Sequence, residues 1–201
     1  PPQGARSLAR PRQAPAQSVS PATHDTRHAP AAQTCPEGHA RPHADLAGQT
    51  VAGYDMIADT FVSNDGNARD SDPSDPGDWS TAGQCGTGEP ASNSSWHGTH
   101  VAGTIAAKGN NSLGVIGVAF NAKVQAVRVL GRCGGYTSDI ADAMIWASGG
   151  TVSGVPANAT PAKVINMSLG GGGACDTISQ AAINSARSRN TTVVVAAGNE
   201  N

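Results

Sequence analysis

The chain has 201 residues, with 13 Lys and Arg against 15 Asp and Glu, for a net charge of −2 at pH 7. Charged residues are only 14% and glycines number 25, which excludes a coiled coil or a charged tail and gives no electrostatic reason to bind nucleic acid or an anionic membrane. No apolar run approaches the roughly 18–20 residues of a membrane span, and no charged-then-apolar leader opens the sequence.

Residues 1–43 carry eight of the 13 prolines, four of the six histidines and only two large apolar side chains, Leu8 and Val19. Too little apolar surface is present to offset the entropy of ordering. This stretch is expected to be a disordered arm. Its Pro/Ala/Arg/His bias also resembles a GC-rich gene read out of frame, so the arm is either disordered or non-native. From residue 44 to 201 the composition suits one domain.

Three segments in this part are short and rich in β-branched residues: 124–130 (VQAVRVL), 163–168 (KVINMS) and 191–197 (TTVVVAA). They read as buried strands of a parallel sheet. Between them, 137–148 places Ile140, Ala143, Met144 and Ala147 at helical spacing, and 176–188 does the same with Ile178, Ala181, Ala182 and Ile183. Thr137 or Ser138 is the expected cap of the first helix, and Asp176 of the second. Alternating strands and helices predict an α/β layered domain. The four cysteines, Cys35, Cys85, Cys133 and Cys175, form no C-x-x-C pair. They point away from a zinc knuckle and leave disulfides in an oxidising compartment or free thiols as the alternatives.

Three strings carry chemistry: W-H-G-T-H-V-A-G-T-I-A-A at 96–107, V-I-N-M-S-L-G-G-G-G at 164–173 and V-V-V-A-A-G-N-E-N at 193–201. Together, and in this order, they resemble the subtilisin-like serine proteases, or subtilases, over residues 41–201. G-Y-D-M-I at 53–57 and V-R-V-L-G-R-C-G-G-Y at 127–136 resemble a bacterial secreted subgroup. The resemblance implies a subtilisin-like three-layer α/β fold, with a mostly parallel central sheet and helices on both faces, incomplete at both ends. It implies a secreted, monomeric endopeptidase acting on protein or peptide substrates, with no nucleic-acid or membrane partner and no cofactor required for chemistry.

Residue by residue, the resemblance makes His97 the base that takes a serine proton, a role suited to an imidazole titrating near neutrality. The run of small residues after it suits a central helix approached closely on all sides. His100 is expected to make a buried structural hydrogen bond. Asn199, at the end of a strand, becomes a donor to the oxyanion formed on the scissile carbonyl. Ser168, Leu169 and Gly170 form one rail for an extended substrate, Gly134 and Gly135 the opposite rail, and Tyr136 borders an outer side-chain pocket. If the strands at 124–130 and 163–168 are neighbours, their following loops meet and Cys133 pairs with Cys175. Asp70, Asp72 and Asp75, within an acidic loop at 65–78, are spaced like ligands of a structural calcium ion, the alternative being a solvated acidic loop.

Two family signatures are missing from the 201 residues. No D-[ST]-G string precedes the R-P-H-A-D-L segment at 41–46, and no G-T-S-M-A string follows Asn199. The expectation is therefore an internal piece of a protease, inactive alone. The rival reading is a peptide-binding relative that kept the cleft and lost the chemistry.

Overall fold

The computed structural model describes Leu8–Ala9 and residues 43–199, so the rest of the expected arm, with Val19 and Cys35, lies outside the described residues. Leu8–Ala9 forms a two-residue strand, β1. A 3-10 turn at Ala44–Leu46 follows His43, whose ring accepts a hydrogen bond from the Asp45 amide. Then come strand β2 (Thr50–Asp55), the one-turn helix α1 (Thr60–Ser63) and helix α2 (His97–Ala106). The second half contains strands β3 (Val124–Arg128) and β4 (Gly135–Tyr136), helix α3 (Thr137–Ala147), strand β5 (Val164–Met167), helix α4 (Thr177–Ser188) and strand β6 (Thr192–Val195).

The predicted strands and helices stand where the apolar pattern put them, each slightly shorter. β2 was not anticipated as a strand. Gly53 interrupts its apolar run, and glycine weakens a strand reading. The structure supplies the reason for the glycine. The β2–β3 register shifts between Val51 and Tyr54, and a Cβ on Gly53 would run into the Ala126 carbonyl of β3.

β2 pairs in parallel with β3, and β5 in parallel with β6, from Val164 opposite Thr192 to Met167 opposite Val195. β3 and β5 share no ladder among the described residues. Helix α3 joins the two halves. Val127 and Val129 from the β3 side and Ile165 from β5 pack on one cluster that contains Tyr54, Met56, Ala143, Trp146 and Ala147. Met167 and Val193 pack on a second cluster formed by Ile140, Ala141, Met144 and Ala182, which also seats α4 against α3. The predicted inward positions Ile140, Ala143, Met144 and Ala147 are all buried. Met56 and Ile57 are fully enclosed, each worth about 1.5–3 kcal/mol in burial.

Asp176 caps α4 as expected, accepting from the Ser179 amide at 2.7 Å. The cap of α3 is different. Tyr136 occupies that position in extended conformation, with no side-chain cap bond, because β4 runs directly into the helix.

Candidate active site

β3, β5 and β6 are each followed at the carboxyl end by a predicted site segment, where α/β sheets form their ligand crevices. β3 ends at Arg128, and the chain then folds back. Gly131 and Gly134 exchange backbone hydrogen bonds of 2.9 and 3.1 Å before β4 begins. Gly134 is therefore used inside this turn. Gly135, buried, and Tyr136, half-buried, form the strand edge that follows. Leu8–Ala9 lies antiparallel on that edge, Leu8 opposite Tyr136 and Ala9 opposite Gly135. The edge thus accepts an extended backbone.

The turn is made with left-handed backbone at Cys133 (φ 65°) and Gly134 (φ 109°), a conformation that costs roughly 1–2 kcal/mol for a residue with a Cβ. A disulfide holds it. The bond joins Cys133 to Cys85, with Cα atoms 5.3 Å apart. The expected Cys133–Cys175 pairing is incorrect, and Cys175 is a free, exposed thiol. The physical reason is that β3 and β5 are not laddered, so their loops do not meet. Residue 132 instead faces the 79–92 stretch, where Arg132 Nε donates to the Trp79 carbonyl at 3.2 Å.

Ser168, Leu169 and Gly170 follow β5. The Ala196 amide donates to the Met167 carbonyl at 3.0 Å, so the ends of β5 and β6 lie side by side. Residues 168–170 and 196–199 therefore leave the same edge. Leu169 packs against the second core cluster. The Ser168 hydroxyl accepts from Asn166 at 3.0 Å. Asn199 is exposed and follows Gly198, whose φ of 101° turns the chain off the strand.

His97 opens α2, after Trp96 in left-handed conformation at φ 51°. That conformation is unusual for a bulky residue and marks a constrained site. Beneath it, the Asp78 carboxylate accepts from the Ser95 amide at 2.6 Å and from its hydroxyl at 2.7 Å. The far end of the helix is fixed beside the start of β2, where Gln49 donates to the Ala106 carbonyl at 2.9 Å. Asp45 pins the segment after α2, accepting from Asn111 at 2.7 Å and from the Val115 amide at 2.9 Å. Those two bonds hold its carboxyl below the usual carboxylate range.

The expectation that α2 is buried on all sides is not met. Ala106 is its only buried residue, and His100 is exposed instead of making a buried hydrogen bond. Small side chains permit close approach, but β3 and the 3-10 turn are the only described elements packed substantially against this helix.

A buried charge cluster lies beside the rail, unforeseen from the sequence. Arg128 donates to Asp55 at 2.5 Å and to Asp65 at 3.0 Å, and stands 3.9 Å from Asp75. Burial pushes the Asp55 carboxyl up to about 6 against the pull of the Ile57 amide and Arg128. Burial also raises Asp75. Asp65 is lowered, its bonds to Ser63 and the Asn67 amide and the charge of Arg128 outweighing its partial burial. The signal was present in G-Y-D-M-I and V-R-V-L, where an Asp and an Arg interrupt apolar runs.

The proposed calcium ligands do not converge. Asp70 accepts from the Asp72 amide at 2.6 Å, Asp72 from the Ser74 amide at 3.0 Å, and Asp75 from the Gly77 amide at 2.9 Å. Among the described residues no three His, Cys, Asp or Glu side chains group so as to hold a metal ion. As placed, Asp70, Asp72 and Asp75 do not fit one hard cation. They brace their own loop.

Comparison with known proteins matches the profile of the Subtilase family to residues 36–201. The chain belongs to the subtilase family. This subtilase chain is 66% identical over 157 residues to an extracellular protease of Xanthomonas campestris pv. campestris, a match covering 78% of the chain and 27% of that relative. It is 52% identical over 162 residues to an extracellular basic protease of Dichelobacter nodosus, with the same coverage of 78% and 27%. Among solved structures, a protease from Pseudoalteromonas arctica superimposes with a TM-score of 0.78 at 65% identity, over 82% of this chain and 48% of that one. The subtilase chain thus spans about a quarter of these curated relatives and about half of that structure. No helix among the described residues is long and apolar enough to cross a membrane.

Proposed function

We propose that these residues form the substrate-binding half of a secreted serine endopeptidase active on proteins and peptides. The observation that carries the reading is that the segments at 135–136, 168–170 and 199 leave the carboxyl ends of parallel strands in a chain of the subtilase family. An extended peptide lies along Gly135–Tyr136 on one side and Ser168–Gly170 on the other, exchanging main-chain hydrogen bonds with each. His97 takes the proton of the attacking serine and returns it to the leaving amine. The Asn199 carboxamide donates to the oxyanion. The relatives named extracellular proteases support secretion, as does the Cys85–Cys133 disulfide.

The 201 residues contain neither a D-[ST]-G nor a G-T-S-M-A string. This stretch on its own is accordingly proposed to bind peptides without cleaving them, which is also what a non-catalytic relative would do. A chimera tests whether residues 44–199 are competent for the chemistry. Residues 44–199 replace the matching segment of the Xanthomonas campestris relative, and peptide hydrolysis is measured. An active chimera is expected. His97→Ala should lower kcat about 10⁴-fold or more. Asn199→Ala should lower it about 10²–10³-fold, the loss known for this donor in a subtilisin. An inactive but folded chimera overturns the enzyme reading. Activity unchanged by His97→Ala overturns its assignment.

A further inference from the structure

Helix α1 is only four residues long, yet Phe61, Val62 and the following Asn64 all meet the turn that leads into the rail. The Val62 carbonyl accepts from the Arg132 amide at 2.8 Å. Asn64 Oδ1 accepts from the Arg132 guanidinium. That guanidinium stacks 5.2 Å from the Phe61 ring centre and 4.8 Å from that of Trp79, within the range of cation–π attraction. Gly131 approaches so closely that a Cβ there would strike the Val62 carbonyl. These contacts fix the entry to the rail. The exit is fixed by Asp59, whose two oxygens have separate duties. Oδ1 accepts from the Phe61 amide at 2.9 Å and caps α1. Oδ2 accepts from the Tyr136 hydroxyl at 3.0 Å. Capping anchors the carboxylate, and the anchored carboxylate then holds the phenol.

We infer that Asp59 is a positioning residue for substrate selection: by holding the Tyr136 phenol, it sets which side chain is accepted at the peptide position opposite Tyr136. This rests on the proposed use of Gly135–Tyr136 as a peptide rail. In an antiparallel pair, residues directly opposite place their side chains on the same face. The β1 register shows which peptide residue that is: the one preceding the residue opposite Gly135. Because the hydroxyl is engaged with Asp59, the peptide side chain meets the ring and finds no free hydroxyl. Selection should therefore favour a large apolar side chain over a small or polar one. Release of the phenol lets the ring rotate away and leaves a hydroxyl seeking a partner in the same space.

The test uses the whole chain and dye-labelled acetyl-Xaa-Ala-Ala-Ala peptides, with Xaa as Leu, Gly or Asn, read by fluorescence anisotropy. Asp59→Ser keeps a good helix cap but is too short to reach Tyr136. Tyr136→Phe keeps the ring and removes the hydroxyl. Each is expected to reduce the preference for Leu over Gly by about threefold to tenfold, as expected for losing one hydrogen bond. The double variant should be no worse than either single one. A second readout needs no peptide. Tyr54 and Tyr136 are the only tyrosines, so labelled tyrosine gives two signals. The one removed by Tyr136→Phe should shift and average in Asp59→Ser. Equal loss of affinity for all three peptides, or additive effects in the double variant, overturns the inference while leaving the rail intact. Failure of the unaltered chain to bind any peptide overturns the rail as well.

Discussion

The two parallel ladders have unlike surroundings. β2 runs from an exposed start into Tyr54, Asp55, Met56 and Ile57, all buried, and its partner β3 carries a buried arginine. β5 and β6 hold four valines, and three of them, Val164, Val194 and Val195, are about half exposed or more. The ladder richer in β-branched residues is thus the more exposed one. What differs is cover: the β2–β3 side has α1, the loop at 65–78, the disulfide and part of α3, whereas the β5–β6 side has α3 and α4 on one face only among the described residues. A β-branched run makes a strand, and the elements laid over it decide how much energy it contributes.

The sharpest way to break that comparison is Arg128→Met. It leaves Asp55 buried without its cation, and loss of one partner of a buried pair costs about 3–5 kcal/mol. Urea denaturation should show the loss at pH 7, and a change under 1 kcal/mol would mean that the cluster does not organise the β2–β3 side. Next in size is the disulfide. The bond spans 48 residues, and its removal by Cys85→Ser should cost about 2–4 kcal/mol. Cys175→Ser, on the other side, should leave the midpoint unchanged.

The pH dependence sharpens the contrast further. Asp55 titrates near 6 in the folded chain and near its ordinary value when unfolded. The folded state therefore holds more protons between about pH 4 and 6, and stability falls as pH rises through that window. The slope from one group cannot exceed about 1.4 kcal/mol per pH unit. Asp75, raised by the same cause, acts in the same direction. Asp65 and Asp45 are lowered and act oppositely, their contributions being lost as pH falls through their depressed values. Midpoints measured from pH 4 to 7 should lose most of the slope in Asp55→Asn. A slope that persists in this variant assigns the titration elsewhere. The smallest effects belong to the exposed side. Val194→Thr should change stability by no more than about 0.5 kcal/mol. Chelator added during thermal melting should leave the midpoint in place, because the aspartate loop carries its own hydrogen bonds.

Much of this was legible in linear order. The period-3.6 spacing of Ile140, Ala143, Met144 and Ala147 marked the face of α3 that is buried. Asp176 was recognisable as a cap from its position before an amphipathic run. The motifs around His97, Ser168 and Asn199 indicated the family. Other features were hidden for definite reasons. β2 was obscured by Gly53, which makes room for the Ala126 carbonyl, 73 residues further along the chain. Asp59 gave no signal because an aspartate before a short helix looks like any other cap, and its second oxygen meets Tyr136 only after the chain has folded back.

The sequence by itself determined the family and the alternation of strands and helices, since both are written in local spacing and side-chain chemistry. Tertiary structure alone decided that Cys133 joins Cys85, that Gly134 closes a turn with Gly131, that Arg128 gathers three aspartates and that α2 stands largely uncovered. Each of those outcomes depends on which distant segments come into contact, and contact between distant segments is fixed by packing and ladder formation across the whole domain, a property that no short window of residues contains.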